Sequence, residues 1–171
     1  MDSASLHPWA AMKMGSYSRY NLLHALLIRK IIAHLSADGY LEEPEAVGIV
    51  APYSAQANLI NALLTDAGVN RNRAEAATVH RFQGNEKRTM VVDLTDSTGC
   101  QLGQFMTGIR PEEEGSRLLN VAISRARHHV ILFANFEYLR CAPRGGKVNQ
   151  LLHLFRTHGS KIDLVQDTAA R

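Results

Sequence analysis

The sequence predicts an α/β fold built on a mainly parallel sheet with helices on both faces. Three observations carry this prediction. Short apolar runs at 47–51 (VGIVA), 90–92 (MVV) and 128–134 (HHVILFA) fit strands buried within a parallel sheet. Longer segments at 19–35, 54–64, 117–127 and 148–158 place apolar residues at helical spacing. Strands and helices alternate for most of the length, the order that right-handed crossovers turn into a parallel sheet. Ligands in such sheets gather at the carboxyl ends of the strands.

In chain order, 1–18 mixes Ser, Gly and Met with His7, Pro8 and Trp9 and shows no period, so it reads as an irregular lead-in. From Arg19 to about Leu35, the set Leu23, Leu27, Ile31 and Leu35 recurs every four residues beside Leu22 and Leu26, with His24, Arg29, Lys30 and His34 polar. That is an amphipathic helix. Gly39 and Pro44 mark 36–45 as a loop, and Pro52 ends the strand at 47–51. Ser54 is the expected N-cap of a helix through Leu59, Ile60, Leu63 and Leu64, which Gly68 terminates; polar 69–75 follows. The stretch 78–94 (TVHRFQGNEKRTMVVDL) opens as a short strand, breaks at the polar turn 83–86 and resumes as a second strand through Met90, Val91 and Val92. Residues 95–115, rich in Gly, Ser and Thr and closed by the acidic run 112–114, read as a functional or mobile loop. A helix at 117–127, a strand at 128–134, a helix at 148–158 and a candidate strand at 162–165 complete the order. One domain is expected at 19–166, with 167–171 as a tail.

Composition narrows the class. A chain of 171 residues is long enough to bury roughly 70% of its unfolded surface without staples. An apolar fraction of 46% and a charged fraction of 20% exclude disordered and fibrous classes, and a net charge of +3 is compatible with a nucleic-acid partner. Cys100 and Cys141 stand far apart without a CxxC or Cys/His spacing, and none of the eight histidines has HExxH spacing. No metal site or disulfide scaffold is expected, and a reducing cytoplasm fits. The first residues lack the basic segment and apolar core of a signal peptide, and no apolar run approaches the roughly 20 residues of a membrane span, so a soluble protein is expected.

Three clusters carry polar groups where the carboxyl edge is expected. Pro52, Tyr53 and Gln56 follow the first strand, as a plain turn and helix start or as ligand groups. His80, Arg81, Gln83 and Glu86 crowd the turn around Gly84. A glycine there lets a backbone N–H approach a bound group, so the turn reads either as a phosphate site or as a solvated turn. In Ser124-Arg125-Ala126-Arg127, the planar guanidinium fork suits phosphate oxygens, and two arginines spaced by one residue point in different directions on a helix. One could face a ligand and the other solvent, or both could be surface groups. No GxxxxGK[ST] is present: Gly145-Gly146-Lys147 runs into Val148, and position 141 is Cys. The chain therefore lacks a phosphate cradle of its own. Val91-Val92-Asp93 mimics a Mg²⁺-holding strand end without that cradle, and a metal-dependent nuclease on Asp93, Asp96 and Glu86 is a further alternative.

Taken in order, IVAPYSAQ at 49–56, TVHRFQGNEKRTMVVDL at 78–94 and RLLNVAISRARHHVILFAN at 117–135 resemble the second RecA-like domain of superfamily 1 helicases, in particular the Upf-like branch acting on RNA or DNA. Asn21 with Ala25 is similar to that domain's lead-in, and the resemblance covers about 19–160. It implies a RecA-like three-layer sandwich, with ATP bound between two such domains. The first domain would bring the cradle, its lysine and the Mg²⁺ carboxylates, so the metal ligands would lie outside this chain. By the same resemblance Arg125 would be the arginine finger, Gly84 would present its backbone near the γ-phosphate, Gln83 would help hold that end and Glu86 would reach the ribose. Tyr53, Thr78, His80 and Arg81 would lie near the nucleic-acid track.

Ala51 stands where the family usually has Thr or Ser, and His80 where it often has Asp. The family's Tyr-Arg-Met-His-Pro opening and its first domain are absent, which implies a piece of a longer helicase. The implied partners are single-stranded DNA or RNA and the first RecA-like domain, and the isolated chain is expected to be inactive. The competing expectation is a stand-alone nucleic-acid-binding or adaptor domain with a helicase-like fold.

Overall fold

The computed structural model describes residues 1–82, 86–110 and 113–162. In chain order these give β1 (Ala11–Met12), β2 (Arg19–Tyr20), α1 (Leu22–Ala37), β3 (Val47–Val50), α2 (Ser54–Asp66), β4 (Ala74–Ala77), β5 (Lys87–Asp93), α3 (Glu114–Ser124), β6 (Ala126–Phe133) and α4 (Lys147–His158). The main sheet runs β4-β3-β5-β6 with every pairing parallel, and β1 pairs antiparallel with β2 outside it. Each face carries its own core. Ile28 and Ile32 of α1 and Ile60 and Leu64 of α2 pack with Ile49, Val91 and Phe133 on one side. Leu119 and Ala122 of α3 and Leu151 and Leu152 of α4 pack with Met90, Val92 and Leu132 on the other. Alternate residues of β5 thus enter opposite cores, which is why its sequence is apolar without a break. The three-layer α/β arrangement predicted from the sequence is the one observed.

Several boundaries differ, each for a local reason. The helix expected from Arg19 begins at Leu22, because Asn21 caps it by accepting the backbone N–H of His24 at 3.1 Å. Its buried stripe is His24, Ala25, Ile28, Ile31 and Ile32, whereas Leu22 and Leu26 stay exposed. Tyr53, with extended backbone, is the N-cap of α2, and Ser54 is already helical.

The strand expected at 78–82 is instead a 3₁₀ turn, Val79–Phe82, and the ladder is made by the preceding Ala74–Ala77. Val79 and Phe82 both enter the α3/α4 core. Residues three apart on a strand would point to opposite faces, whereas on a 3₁₀ turn they eclipse. The helix expected over 117–127 ends at Ser124, and Arg125 closes it. The Lys87 N–H donates to the Arg125 carbonyl at 2.9 Å, so the chain has already joined the sheet there. Of the candidate strand 162–165, all but Ile162 lies outside the described residues.

The lead-in is tied down. Ser3 N–H donates to the Ala134 carbonyl at 2.9 Å and Ala134 N–H to the Met1 carbonyl at 3.2 Å, extending the sheet beyond the end of β6. The amino half of β6 presents exposed Arg127, His128 and His129. At the other edge, the Asn61 side chain of α2 donates to the Ala76 carbonyl at 2.7 Å and accepts the Ala76 N–H at 2.9 Å. Among the described residues, no helix is long and apolar enough to cross a membrane.

Candidate functional site

The three sequence clusters do not share one edge. Pro52, Tyr53 and Thr78 follow β3 and β4 and so lie at the carboxyl ends of the strands, whereas Glu86 precedes β5 and Arg125 precedes β6. In a parallel sheet, residues before a strand and residues after one lie on opposite edges. The expectation that all three sit at the carboxyl edge is therefore corrected. The chain leaves the carboxyl edge after β4 and re-enters the sheet at the amino edge as β5, with β3 between the two strands.

At the amino edge, the pairing of β5 with β6 brings Glu86 and Arg125 together. Arg127 Nε donates to Glu86 Oε2 at 3.1 Å, an exposed pair at the start of the two strands. Such a pair is worth at most about 1 kcal/mol, so it is readily exchanged for another partner. Arg125 is half-buried, and its Nε is shielded from solvent with no hydrogen-bond partner among the described residues. The two arginines differ, but by helix end against strand start rather than by direction around one helix. Gln83 and Gly84 lie outside the described residues.

At the carboxyl edge, Tyr53 and Thr78 line one groove of about 570 Å³ with Arg19, Gly103 and Phe105. Tyr53 is only 8% exposed, packed edge-on against Phe105 with ring centroids 5.6 Å apart and with the Arg19 guanidinium 5.4 Å from its ring centre. Arg19 donates to Asp96 Oδ1 at 2.9 Å, and the Gly103 N–H donates to Asp96 Oδ2 at 2.7 Å. Burial pushes the Asp96 carboxyl up from its ordinary range, against the pull of Gly103 and Arg19. Burial, reinforced by Asp96, also holds the Tyr53 phenol well above the ordinary tyrosine range. The buried Tyr53 hydroxyl lies beside the Asp96 carboxylate. His80 and Arg81 are exposed on the 3₁₀ turn, and Arg81 pairs with Glu75 at 3.0 Å.

This cluster has no room to spare at Gly103. A Cβ there would come within 2.0 Å of the Tyr53 hydroxyl and 2.7 Å of Asp96 Oδ2. Gly103→Ala is expected to lower stability by about 1–3 kcal/mol through overpacking, read as a lower urea midpoint at unchanged m-value. An unchanged midpoint would mean that the loop moves aside freely.

Asp93 has a different task from the metal-holding roles weighed for it. It is fully buried and bonded to His24 Nδ1 at 2.7 Å, to Gln56 Nε2 at 2.6 Å and to the Thr95 N–H at 2.8 Å. Ser3 Oγ completes the chain of contacts at 2.7 Å from His24 Nε2. Ser3, His24 and Asp93 are each 0% exposed, so this serine–histidine–aspartate line is a structural bond network closed to substrate. Gln56 is fully buried in it and faces no ligand; it accepts the Asn21 N–H at 2.7 Å. Among the described residues, no three His, Cys, Asp or Glu side chains gather to hold a metal. Sequence reading missed Ser3, Arg19 and Gly103 because their partners lie far along the chain. The visible signal was His24, a polar residue within four positions of Ile28 on a buried helix face.

Comparison with known proteins agrees with the three motifs. The model of a family described as AAA domain matches residues 7–137. The chain is 31% identical over 128 residues to the DNA polymerase alpha-associated DNA helicase A of Saccharomyces cerevisiae, covering 74% of this chain and 17% of that protein. It is 34% identical over 126 residues to the DNA replication ATP-dependent helicase/nuclease DNA2 of Bos taurus, covering 71% of this chain and 10% of that protein. It is 26% identical over 150 residues to a regulator of nonsense transcripts 1 homolog of Arabidopsis thaliana, covering 85% of this chain and 11% of that protein. The chain thus spans a small fraction of the length of each relative. With its parallel three-layer core and its ordered motifs at the two sheet edges, it belongs to the AAA domain family, as a second RecA-like domain of the superfamily 1, Upf-like type.

Proposed function

We propose that the chain is the C-terminal motor domain of an ATP-dependent superfamily 1 helicase acting on DNA or RNA. It supplies an arginine finger and part of the nucleic-acid track. A first RecA-like domain would carry the phosphate cradle, its lysine and the carboxylates for Mg²⁺. The motor unit is taken as 19–166, with 1–18 as lead-in and 167–171 as tail. Relatives named as helicases on one side and as a regulator of nonsense transcripts on the other support a nucleic-acid substrate. Two free cysteines suit a reducing compartment such as the cytoplasm.

The observation that carries this reading is Arg125. A guanidinium whose Nε is desolvated and without a hydrogen-bond partner among the described residues is poised for an anion from outside. ATP with Mg²⁺ supplies a γ-phosphate whose charge spreads over its oxygens as the bond to the leaving group breaks. A fixed fork of donors at that place stabilises the developing charge. Glu86, released from Arg127, would reach the ribose hydroxyls. Gln83 and the backbone of Gly84 would hold the γ-phosphate end. Tyr53, Thr78, His80 and Arg81 would face the strand being translocated.

On this reading the purified 171-residue chain holds half of a catalytic site and hydrolyses no ATP. Phosphate release in the presence of Mg²⁺ and a single strand should stay at the buffer rate. A rate above it that Arg125→Ala abolishes would overturn the half-site assignment.

A further inference from the structure

The outer border of β6 is covered at its carboxyl end by residues 1–3, and its amino half carries no strand among the described residues. The contacts of residues 1–3 are those of a parallel ladder. Ser3 N–H donates to the Ala134 carbonyl at 2.9 Å, Ala134 N–H to the Met1 carbonyl at 3.2 Å, and the Met1 amine to the Leu132 carbonyl. Steps of two residues back along β6 reach Val130 and then His128, whose N–H and C=O turn to the same border. A groove of about 450 Å³ follows that stretch, lined by Met1, by Leu35 and Tyr40 at the end of α1 and by Phe155 of α4. Resting on the helicase reading above, we propose that this groove seats the segment joining the first RecA-like domain to Met1, which lies along β6 as a further parallel strand.

Three observations favour that occupant over a free-standing partner. The segment is continuous with a ladder already begun, so Met1 sets its direction and register and little loop closure is needed. Val130 and Ile131 are only half-buried, and β6 becomes fully buried from Leu132 onward, where residues 1–3 cover it; β5 beside it is buried over nearly its whole length. The third observation is the Met1 nitrogen, a ladder donor that carries a terminal charge. Burial pushes this amine down to about 6, against the pull of Asp2. A peptide N–H in the same place makes the same bond with no charge to desolvate.

The geometry also sets the composition of the segment. Val130 packs with the α3/α4 core and Ile131 with the α1/α2 core, so a strand beside them meets an apolar layer on each face. It should read as an unbroken apolar run, as β5 does, rather than as an alternating one. Its second and fourth residues before Met1 turn their backbone groups to β6, which excludes proline there.

The gene upstream of Met1 gives the first check. About four apolar residues are expected immediately before it, and a charged or proline-broken stretch would overturn the inference. Hydrogen exchange then compares the 171-residue chain with the full-length protein. The amides of Val130 and Leu132 should exchange at least about tenfold more slowly in the longer protein. Proline at the second residue before Met1 should undo that protection, while proline at the first, whose N–H faces away from β6, should keep most of it. Equal exchange in the two proteins, or equal effects of the two prolines, would overturn the inference and leave the helicase reading, which rests on Arg125, intact. Protection already present in the 171-residue chain would also overturn it: lost on deletion of 163–171, it would assign the groove to the other end of the chain, and rising with concentration, to a second copy. An upstream frame with the apolar run but no phosphate cradle would keep the strand and sink the helicase reading instead.

Discussion

Replacing Arg125 by alanine in the full-length protein is expected to cut ATP turnover by roughly 10³-fold or more while leaving KM for ATP within about threefold. A 10³-fold loss corresponds to about 4 kcal/mol of transition-state stabilisation. Arg125 sits at the junction of α3 and β6, where its carbonyl accepts the Lys87 N–H at 2.9 Å, so its backbone is fixed by the sheet. The side chain makes no hydrogen bond among the described residues that its removal would break, and its Nε is a buried donor left unpaired. Such a donor costs the free chain about 1–3 kcal/mol, so alanine should fold at least as well. A loss of activity would then be a loss of chemistry. Lysine should not rescue it, because a point charge lacks the planar fork. A parallel fall of binding and turnover would contradict the assignment.

Asp93→Ala is expected to destabilise the isolated chain by about 3–5 kcal/mol, with a fall in Tm on the order of 10 °C. Three donors would lose their acceptor at once: His24 Nδ1, Gln56 Nε2 and the Thr95 N–H, all in a region closed to water. Thr95 adds to the cost, since its φ of +43° is strained for a β-branched residue and its N–H bond to Asp93 helps hold that turn. Asp93→Asn keeps one acceptor oxygen and should lose less. Urea unfolding of both variants checks the ranking, and a loss below about 1 kcal/mol for alanine would mean that the buried groups find other partners.

The layered architecture was readable because the evidence for it is local. A strand such as Val47–Val50, buried on both faces, must be apolar throughout, and a helix facing a sheet must repeat at helical spacing. The 3₁₀ turn at Val79–Phe82 was misread as a strand because its apolar residues are adjacent to a ladder of alanines with little strand propensity. Ala74 and Ala76 form a strand through packing beneath α2, which no local rule reveals. Arg125 was legible as a candidate, while its place at the amino edge was not. That depends on which side of a strand a motif falls, and the boundary between α3 and β6 had been set three residues late. The polar line from Ser3 through His24 to Asp93 spans most of the sheet's connectivity, so only the folded chain brings it together.

The contact of Asn61 with Ala76 has a consequence for how the molecule keeps to itself. A strand at the border of a sheet offers its outward N–H and C=O to any extended chain that drifts past, and β4 is such a border. The Asn61 carboxamide has the donor and acceptor of a peptide unit, and it occupies both groups of Ala76 at 2.7 and 2.9 Å. It imitates a neighbouring strand for one residue and ends the ladder there. At the opposite border, residues 1–3 close the far end of β6, and Arg127, His128 and His129 stand outward along the remainder. Among the described residues both borders are thus partly occupied, which disfavours the addition of a second copy as a further strand.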